Sequence, residues 1–430
     1  LKAGASATAG PFYLVWLAPE KSPIGPEQWP YQVARSEEIA PITTRFPALQ
    51  PAATVPAYDP IRRGLAVFTT NCIVCHTLNL AGDAKIGPDL NVPFNPTEYL
   101  REEFLRTLTP DTFLPTSSSS RLLTGNFTVY EELEAELARL FGTEAALVFN
   151  SGYHANTGIL PAVSDAQTLI LADKLVHASL IDGIRLSAAK CIRYRHNDLA
   201  QLERLLKEHH SAFRQIIIVT ESIFSMDGDQ ADLPALAELK RRYGNVLLYV
   251  DEAHAFGVRG RQGLGCAEES GCTGDIDFLV GTFGKAAASA GAYIVCRKVI
   301  REYLVNRMRT LIFTTGLPPV NIAWTLFVVR RLADMRERRE HLAHISRTLR
   351  EALQAQGYAC PSASHIVPMI IGQSADTVLK AEALQRHGFY ALPVRPPTVP
   401  EGTSRIRFSL TADIRQEEIE ELKKRTENLK

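Results

Sequence analysis

Charge of one sign is missing from this sequence: 47 Lys and Arg face 47 Asp and Glu across 430 residues. That removes the electrostatic case for nucleic acid or an anionic membrane as a partner. No apolar run approaches the roughly 20 residues that span a bilayer; "PFYLVWLA", Pro11 to Ala18, is too short and suits a core strand. The chain begins with Leu1, and no basic segment with a cleavage site is visible from which a signal peptide could be argued. Five of the 7 cysteines (Cys191, Cys266, Cys272, Cys296, Cys360) are scattered, which excludes a regular disulfide framework and favours reduced thiols in the cytoplasm. Methionine is scarce, and all 4 (Met226, Met308, Met335, Met369) lie in the second half. No internal repeat is found.

What is present is a globular composition, 46% hydrophobic and 22% charged, on a chain long enough for two or three domains. Residues 1–59 are proline-rich and irregular, and 60–110 hold two helix-like stretches, "IRRGLAVFTTNC" and "PTEYLREEFLRTL". A turn-rich seam, "TPDTFLPTSSSS", follows. Beyond it "TVYEELEAELARLFG" reads as a helix with a capping box of Thr128 and Glu131 and Gly142 as its stop. Short apolar runs then alternate with amphipathic helices: "AALVF", "TLILA", "QIIIVT", "NVLLYV", "DFLVGT" and "AYIVC". This pattern predicts an α/β fold, a mainly parallel sheet covered on both faces, over 111–320. From Asn321 one long helix is expected to lead into a smaller α+β lobe, 321–430.

Ligands on such sheets bind beyond the carboxyl ends of the strands. The residues that follow the runs are Gly152 in "SGYHAN", Ser225 in "ESIFSMDGD", Asp251 and His254 in "DEAH", and Lys285 in "GTFGKAAASAGA". Singly, each has a plain structural reading: a turn glycine, a helix cap, a core histidine, a solvated lysine. Together they supply what pyridoxal phosphate (PLP) needs: an amine for its aldehyde, a carboxylate for its ring nitrogen, a helix start for its phosphate. His177 in "DKLVHAS" is the candidate to stack on the ring. Several positions after Lys285 are alanine; Ala in place of Gly reduces flexibility and is tolerable wherever φ is negative.

In order along the chain stand "SRLLTGN", "SGYHANTGIL", "DKLVHASLIDG", "TESIFSMDGD", "VDEAHAFGVRG", "GTFGKA", "FTTGLPP" and "RPPTVPEGTSRIRFSLTA". From about Leu114 to the end the chain thereby resembles the α-oxoamine synthases, PLP enzymes of fold type I. The resemblance implies that Lys285 forms the Schiff base, Asp251 pairs with the pyridine nitrogen, His254 hydrogen-bonds the ring hydroxyl and His177 stacks on the ring. It implies cofactor contacts at Gly152, Tyr153, Ser225 and Thr282. Thr314 and Thr315 would reach the phosphate bound by a neighbouring subunit, since family members are dimers with shared sites. Arg407 would grip the amino-acid carboxylate, and Thr398 would line the substrate site. The last motif is most similar to the biotin-pathway branch. That branch implies a decarboxylative condensation of L-alanine with a pimeloyl thioester of CoA or acyl carrier protein. Other branches take glycine with acetyl-CoA or succinyl-CoA, or serine with acyl-CoA.

Ahead of the seam, "CIVCH" is the c-type haem attachment pattern, with Cys72 and Cys75 as thioether sites and His76 as the axial nitrogen to haem iron. Residues 60 to about 106 resemble a truncated class I c-type cytochrome. Haem c is therefore the second cofactor expectation. With no methionine before Met226, this region offers no thioether as second ligand. Haem attachment alone implies a periplasmic setting, against the cytoplasmic one of the rest.

Overall fold

A computed structural model describes residues 98–429. The expected helix before "CIVCH" and the residues Cys72, Cys75 and His76 lie outside the described residues. The first described element, α1 (Glu98–Thr107), is the helix expected from "PTEYLREEFLRTL". From it Phe104 packs edge-on against Trp324, with ring centroids 5.1 Å apart.

Helix α2 (Thr128–Phe141) starts at Thr128, so the expected capping box does not form: Phe127 is the N-cap and no side chain caps the helix. Gly142 ends it at φ 64°, in the left-handed region that glycine adopts without strain. The alternating segments follow as β1 (Ala145–Phe149), α3 (Gly152–Val163), β2 (Thr168–Asp173), α4 (Ala178–Leu186), β3 (Lys190–Tyr194) and α5 (Leu199–His209). Then come β4 (Gln215–Glu221), α6 (Leu233–Arg241), β5 (Val246–Asp251), the short α7 (Cys266–Glu269), β6 (Phe278–Thr282) and β7 (Ala292–Cys296). These strands make one sheet in the order β1-β7-β6-β5-β4-β2-β3. Only β7 runs antiparallel to its neighbours; the other pairs are parallel. Strands β1, β2 and β7 are buried at every residue, as a sheet covered on both faces demands. Helices α3 and α4 cross at closest approach: a Cβ on Gly183 would lie 2.3 Å from the Asn156 carbonyl oxygen.

Helices α8 (Lys298–Arg307) and α9 (Arg309–Ile312) lead to the expected long helix, which is broken in two. Helix α10 (Pro319–Arg331) gives way to a 3-10 turn over Ala333–Met335, and α11 (Arg336–Ala355) resumes. Arg339 marks the break: its guanidinium donates to the carbonyls of Leu332, Ala333 and Arg261, which an unbroken helix would not offer together. The small lobe is an antiparallel sheet of β8 (Ile366–Gly372), β10 (Ser404–Ser409) and β9 (Leu392–Val394), with β10 central. It is completed by α12 (Ser374–Arg386) and α13 (Gln416–Glu427). Its core joins Leu342, Ile345 and Leu349 of α11 to Val367, Ile406 and Phe408 of the sheet.

Candidate functional site

The carboxyl ends of β4, β5 and β6 meet the starts of α3 and α4, and there the predicted polar residues gather. Asp251 ends β5 and is 6% exposed. Its Oδ1 accepts the Ala253 N–H at 2.9 Å and its Oδ2 accepts the Asn156 amide at 2.8 Å. Asn156, on α3, is held in turn: its Oδ1 accepts the Tyr249 hydroxyl at 2.6 Å, and its amide also donates to Ser179 Oγ at 2.9 Å. Two acceptor positions of Asp251 are filled and the carboxylate is fixed in orientation, which leaves lone pairs for a cationic ring nitrogen.

Glu221 lies beside Asp251, in register across the β4–β5 pair. Burial, then the charge of Asp251, drives its pKa well above the ordinary carboxylate value. Its Oε1 accepts the backbone N–H of His177 at 2.5 Å. His177 caps α4: its Nδ1 accepts the Ser179 N–H at 3.2 Å, and the residue is exposed. Glu252 turns away and anchors the loop after β5, accepting from Ser222 Oγ and from the Cys266 and Ala267 N–H groups.

Lys285 follows β6 and is partly open to solvent. Surrounding protein lowers its pKa, Arg407 adds to that, and Asp251 and Glu221 oppose it. Its loop is tied back by Thr282, whose Oγ1 donates to the Gly291 carbonyl at 2.9 Å and accepts the Gly284 N–H at 3.2 Å. Gly152 stands against Thr282, with space for a Cβ 3.8 Å from the Thr282 Cβ. Among the alanines after Lys285, Ala288 sits at φ 47°, a left-handed conformation that costs a non-glycine residue about 1–2 kcal/mol. His254 is forced neutral. Burial first, then the cations Lys285 and Arg407, push its pKa down to about 2.

From the small lobe, Arg407 on β10 reaches the same place. Its Nε donates to the Ser225 carbonyl at 2.5 Å and its Nη1 to Ser409 Oγ. Among the described residues no carboxylate pairs with it, and loss of water lowers its pKa. His365, just before β8, faces His254 at 6.5 Å between ring centroids. Sequence reasoning did not single out Asn156, Glu221 or His365. Asn156 and Glu221 stand inside quoted motifs, so a polar residue at a buried helix or strand position was the available signal.

Other predicted residues are dispersed. The Tyr153 side chain is 52% exposed and its hydroxyl donates to Asp182 at 2.9 Å, on the rim of α4. Thr314 Oγ1 and the Thr315 carbonyl accept from the Asn150 amide at 3.5 and 2.7 Å, and Thr315 pairs with Ser120. Thr398 is exposed in the β9–β10 loop; its N–H donates to the Arg395 carbonyl, and no hydrogen bond among the described residues ties it to Lys285 or Arg407.

The donor set fits PLP. Asp251 is oriented for a ring nitrogen, Lys285 is an amine of lowered pKa, and the first turn of α3 offers the N–H groups of Gly152 and Tyr153 to a phosphate, Ser151 capping His154 behind them. This sheet, these strand-end residues and the Aminotransferase class I and II family match over residues 98–425 define the class: the chain belongs to that family, whose cofactor is PLP. More narrowly, it is 60% identical over 319 residues (74% of this chain, 84% of the relative) to a Glaesserella parasuis protein provisionally named 8-amino-7-oxononanoate synthase. A serine palmitoyltransferase variant from S. paucimobilis, solved with a bound PLP–myriocin aldimine, is 30% identical and similar in structure at a TM-score of 0.72, over 78% of this chain and 84% of that one. The 8-amino-7-oxononanoate synthase of Francisella tularensis is 28% identical at a TM-score of 0.62, over 70% of this chain and 87% of that one. Separately, residues 61–109 match the Cytochrome c family.

Proposed function

We propose that this chain condenses L-alanine with a pimeloyl thioester, with loss of carbon dioxide, to give 8-amino-7-oxononanoate in biotin biosynthesis. The observation that carries the reading is the unpaired Arg407 guanidinium held in the electrostatic reach of the Lys285 amine. It supplies a carboxylate grip beside a base, the pairing an α-amino acid needs. The 60% identity to a relative of that name narrows the substrate choice.

PLP bound here supplies an electron sink for charge developing on the substrate carbon next to the amino group. Lys285, His177, Asp251, His254, Gly152 and Thr282 would hold it, with Ser225 on the neighbouring loop. Arg407 binds the amino-acid carboxylate and orients its Cα hydrogen toward Lys285. Lys285 Nζ takes that proton; its lowered pKa leaves more of the neutral amine available at pH 7 to do so. His254, neutral across physiological pH, donates or accepts a hydrogen bond without adding charge. Asp251 stabilises a cationic ring nitrogen through its fixed carboxylate. Thr398 is assigned to the lining of the substrate site.

A second copy of the chain is the expected partner. Phe313 and Leu123, 70% and 79% exposed, lie on segments that Thr315 and Ser120 pair together, next to the proposed phosphate contacts Thr314 and Thr315. The cytoplasm is the proposed setting: no helix among the described residues is long and apolar enough to cross a membrane, and the 5 cysteines there are unpaired.

CoA release with L-alanine and pimeloyl-CoA tests the activity, against L-serine with palmitoyl-CoA and glycine with acetyl-CoA. Faster turnover with either rival pair rejects the assignment. The Cytochrome c match favours a second, separate reading, haem c on Cys72 and Cys75 with His76 as ligand. Expression with a haem-attachment system and absence of a Soret band would reject it.

A further inference from the structure

We infer that Trp324 is a positioning residue for Lys285. Its indole N–H, with a ring of hydroxyl bonds beside it, holds the lysine's loop in a backbone conformation that the loop's own sequence disfavours. The inference rests on Lys285 as the amine that bonds PLP, and adds the device that places that amine.

The starting observation is Ala288. Among the described residues, Ser118, Asn197 and Ala288 are the non-glycine positions at positive φ. Serine and asparagine carry a side chain that can bond back to the local backbone; alanine carries nothing that compensates. Such a conformation persists only where the surroundings over-determine it. Helix α10 does so. Asn321, Trp324 and Thr325 stand at i, i+3 and i+4, on one face of that helix. Trp324 Nε1 donates to the Ala288 carbonyl at 2.9 Å. At the next residue, Ser289 Oγ accepts the Asn321 amide at 2.9 Å and lies 2.7 Å from Thr325 Oγ1. Thr325 directs its one hydroxyl hydrogen to the Asn321 carbonyl at 2.9 Å, so Ser289 is the donor between the two hydroxyls. The three bonds run one way round a closed ring, and Thr325 is fully buried.

The clamp reaches Lys285 through the backbone. The Ala288 N–H donates to the Lys285 carbonyl at 3.0 Å, and the Ser289 N–H to the Phe283 carbonyl at 2.9 Å. Residues 285–288 therefore form one tight turn, and its last residue is the one that Trp324 holds. The loop after β5 closes off another direction: a Cβ on Gly257 would lie 2.7 Å from the Ala286 Cβ. The indole itself is fixed, edge-on to Phe104 at 5.1 Å and stacked on Phe327 at 5.7 Å. Released from the indole, Ala288 relaxes to negative φ, the turn opens, and the Lys285 amine leaves its place.

The test is a double-mutant cycle on the full-length protein. Trp324→Phe keeps a ring for Phe104 and Phe327 and removes the N–H. It is expected to raise the Kd of PLP roughly 3- to 10-fold, the span of one hydrogen bond. It is also expected to shift the pH at which the absorbance of the lysine-bound cofactor changes. Glycine is at ease at positive φ, so in the Ala288→Gly background Trp324→Phe should change the Kd less than about twofold. A Kd and a pH titration that Trp324→Phe leaves untouched overturn the inference. So does a loss of the same size in the Ala288→Gly background, since the indole then acts by packing alone. If Trp324→Phe does not fold, Ser289→Ala, which opens the hydroxyl ring and spares the indole, takes its place in the cycle with the same expectation and the same two overturning results. Borohydride labelling of Lys285 in the wild-type chain judges the role of that lysine separately.

Discussion

Two histidines follow strands of the same sheet and meet opposite fates. His196, two residues after β3, is bonded to a carboxylate at each ring nitrogen: Nδ1 to Asp173 at 2.9 Å and Nε2 to Asp229 at 2.6 Å. Burial alone would lower its pKa, but the two bonds and their charges raise it to about 10. His254, three residues after β5, has no carboxylate and sits among cations, with a pKa down to about 2. The first is a charged rivet that ties the end of β2 to the loop carrying Asp227 and Asp229. The second is left uncharged, near His365, whose Nδ1 has no hydrogen-bond partner, and near Arg407, a cation that no carboxylate among the described residues pairs with. Along this sheet edge, saturation marks the framework and unmet bonding capacity marks the site.

The contrast can be broken from either side. The largest effect is expected from Lys285→Ala: CoA release falls by at least about 10²–10⁴-fold, the share a positioned base supplies. Borohydride reduction with PLP then leaves no pyridoxyl label on the peptide spanning residue 285. Asp251→Asn keeps the shape and the backbone bond but removes the charge, so turnover is expected to fall on the order of 10²-fold and PLP is lost more readily on dialysis. Retained activity there would mean that the unsaturated side does not depend on this carboxylate.

His196→Gln acts on the saturated side. It takes the cation from Asp173, which is fully buried and keeps only the Leu175 and Asn197 N–H groups, and should cost about 1–3 kcal/mol in urea unfolding. That is less than for a wholly buried pair, because the ring is 25% exposed. The pKa is raised on folding, so the stabilisation is full below about 6.5, the ordinary value, and is lost as pH rises through about 10. The gap between wild type and variant should thus close between pH 6.5 and 10.5; a constant gap would refute the charged rivet. The smallest effect is reserved for His254→Asn. A histidine already neutral carries no charge to lose, so CoA release should drop less than about tenfold. The inflections of its pH profile between 5 and 8 should not move. A vanished inflection would show that His254 titrates after all.

Much of the sheet was legible because strands buried on both faces must be continuously apolar. Strand β3, "KCIRY", was not: it is the sheet edge, exposed at several positions, and so carries no such run. The break between α10 and α11 was hidden for another reason. Its cause is the reach of Arg339 to the Arg261 carbonyl, 78 residues away. The site divides in the same way. Lys285, Asp251 and His254 stand directly after apolar runs, where local pattern locates them. Asn156 earns its place through a bond to a residue 95 positions on, and His365 through a lobe that only folding brings near. Tyr153 and Thr398 occupy motif positions, yet the described contacts of each point to the rim.

The crossing of α3 and α4 at Gly183 limits how this pocket can change over evolutionary time. Any side chain there must lift α4 away from the Asn156 carbonyl. His177 opens α4, and Asn156 orients Asp251, so both walls of the cofactor side shift as one. Independent adjustment of either is closed off. The small lobe has no such constraint: Arg407, His365 and Thr398 ride on a separate three-stranded sheet and its loops. Drift toward a new amino acid or acyl chain is therefore channelled into the small lobe, while the cofactor side stays frozen by the absence of a single carbon atom.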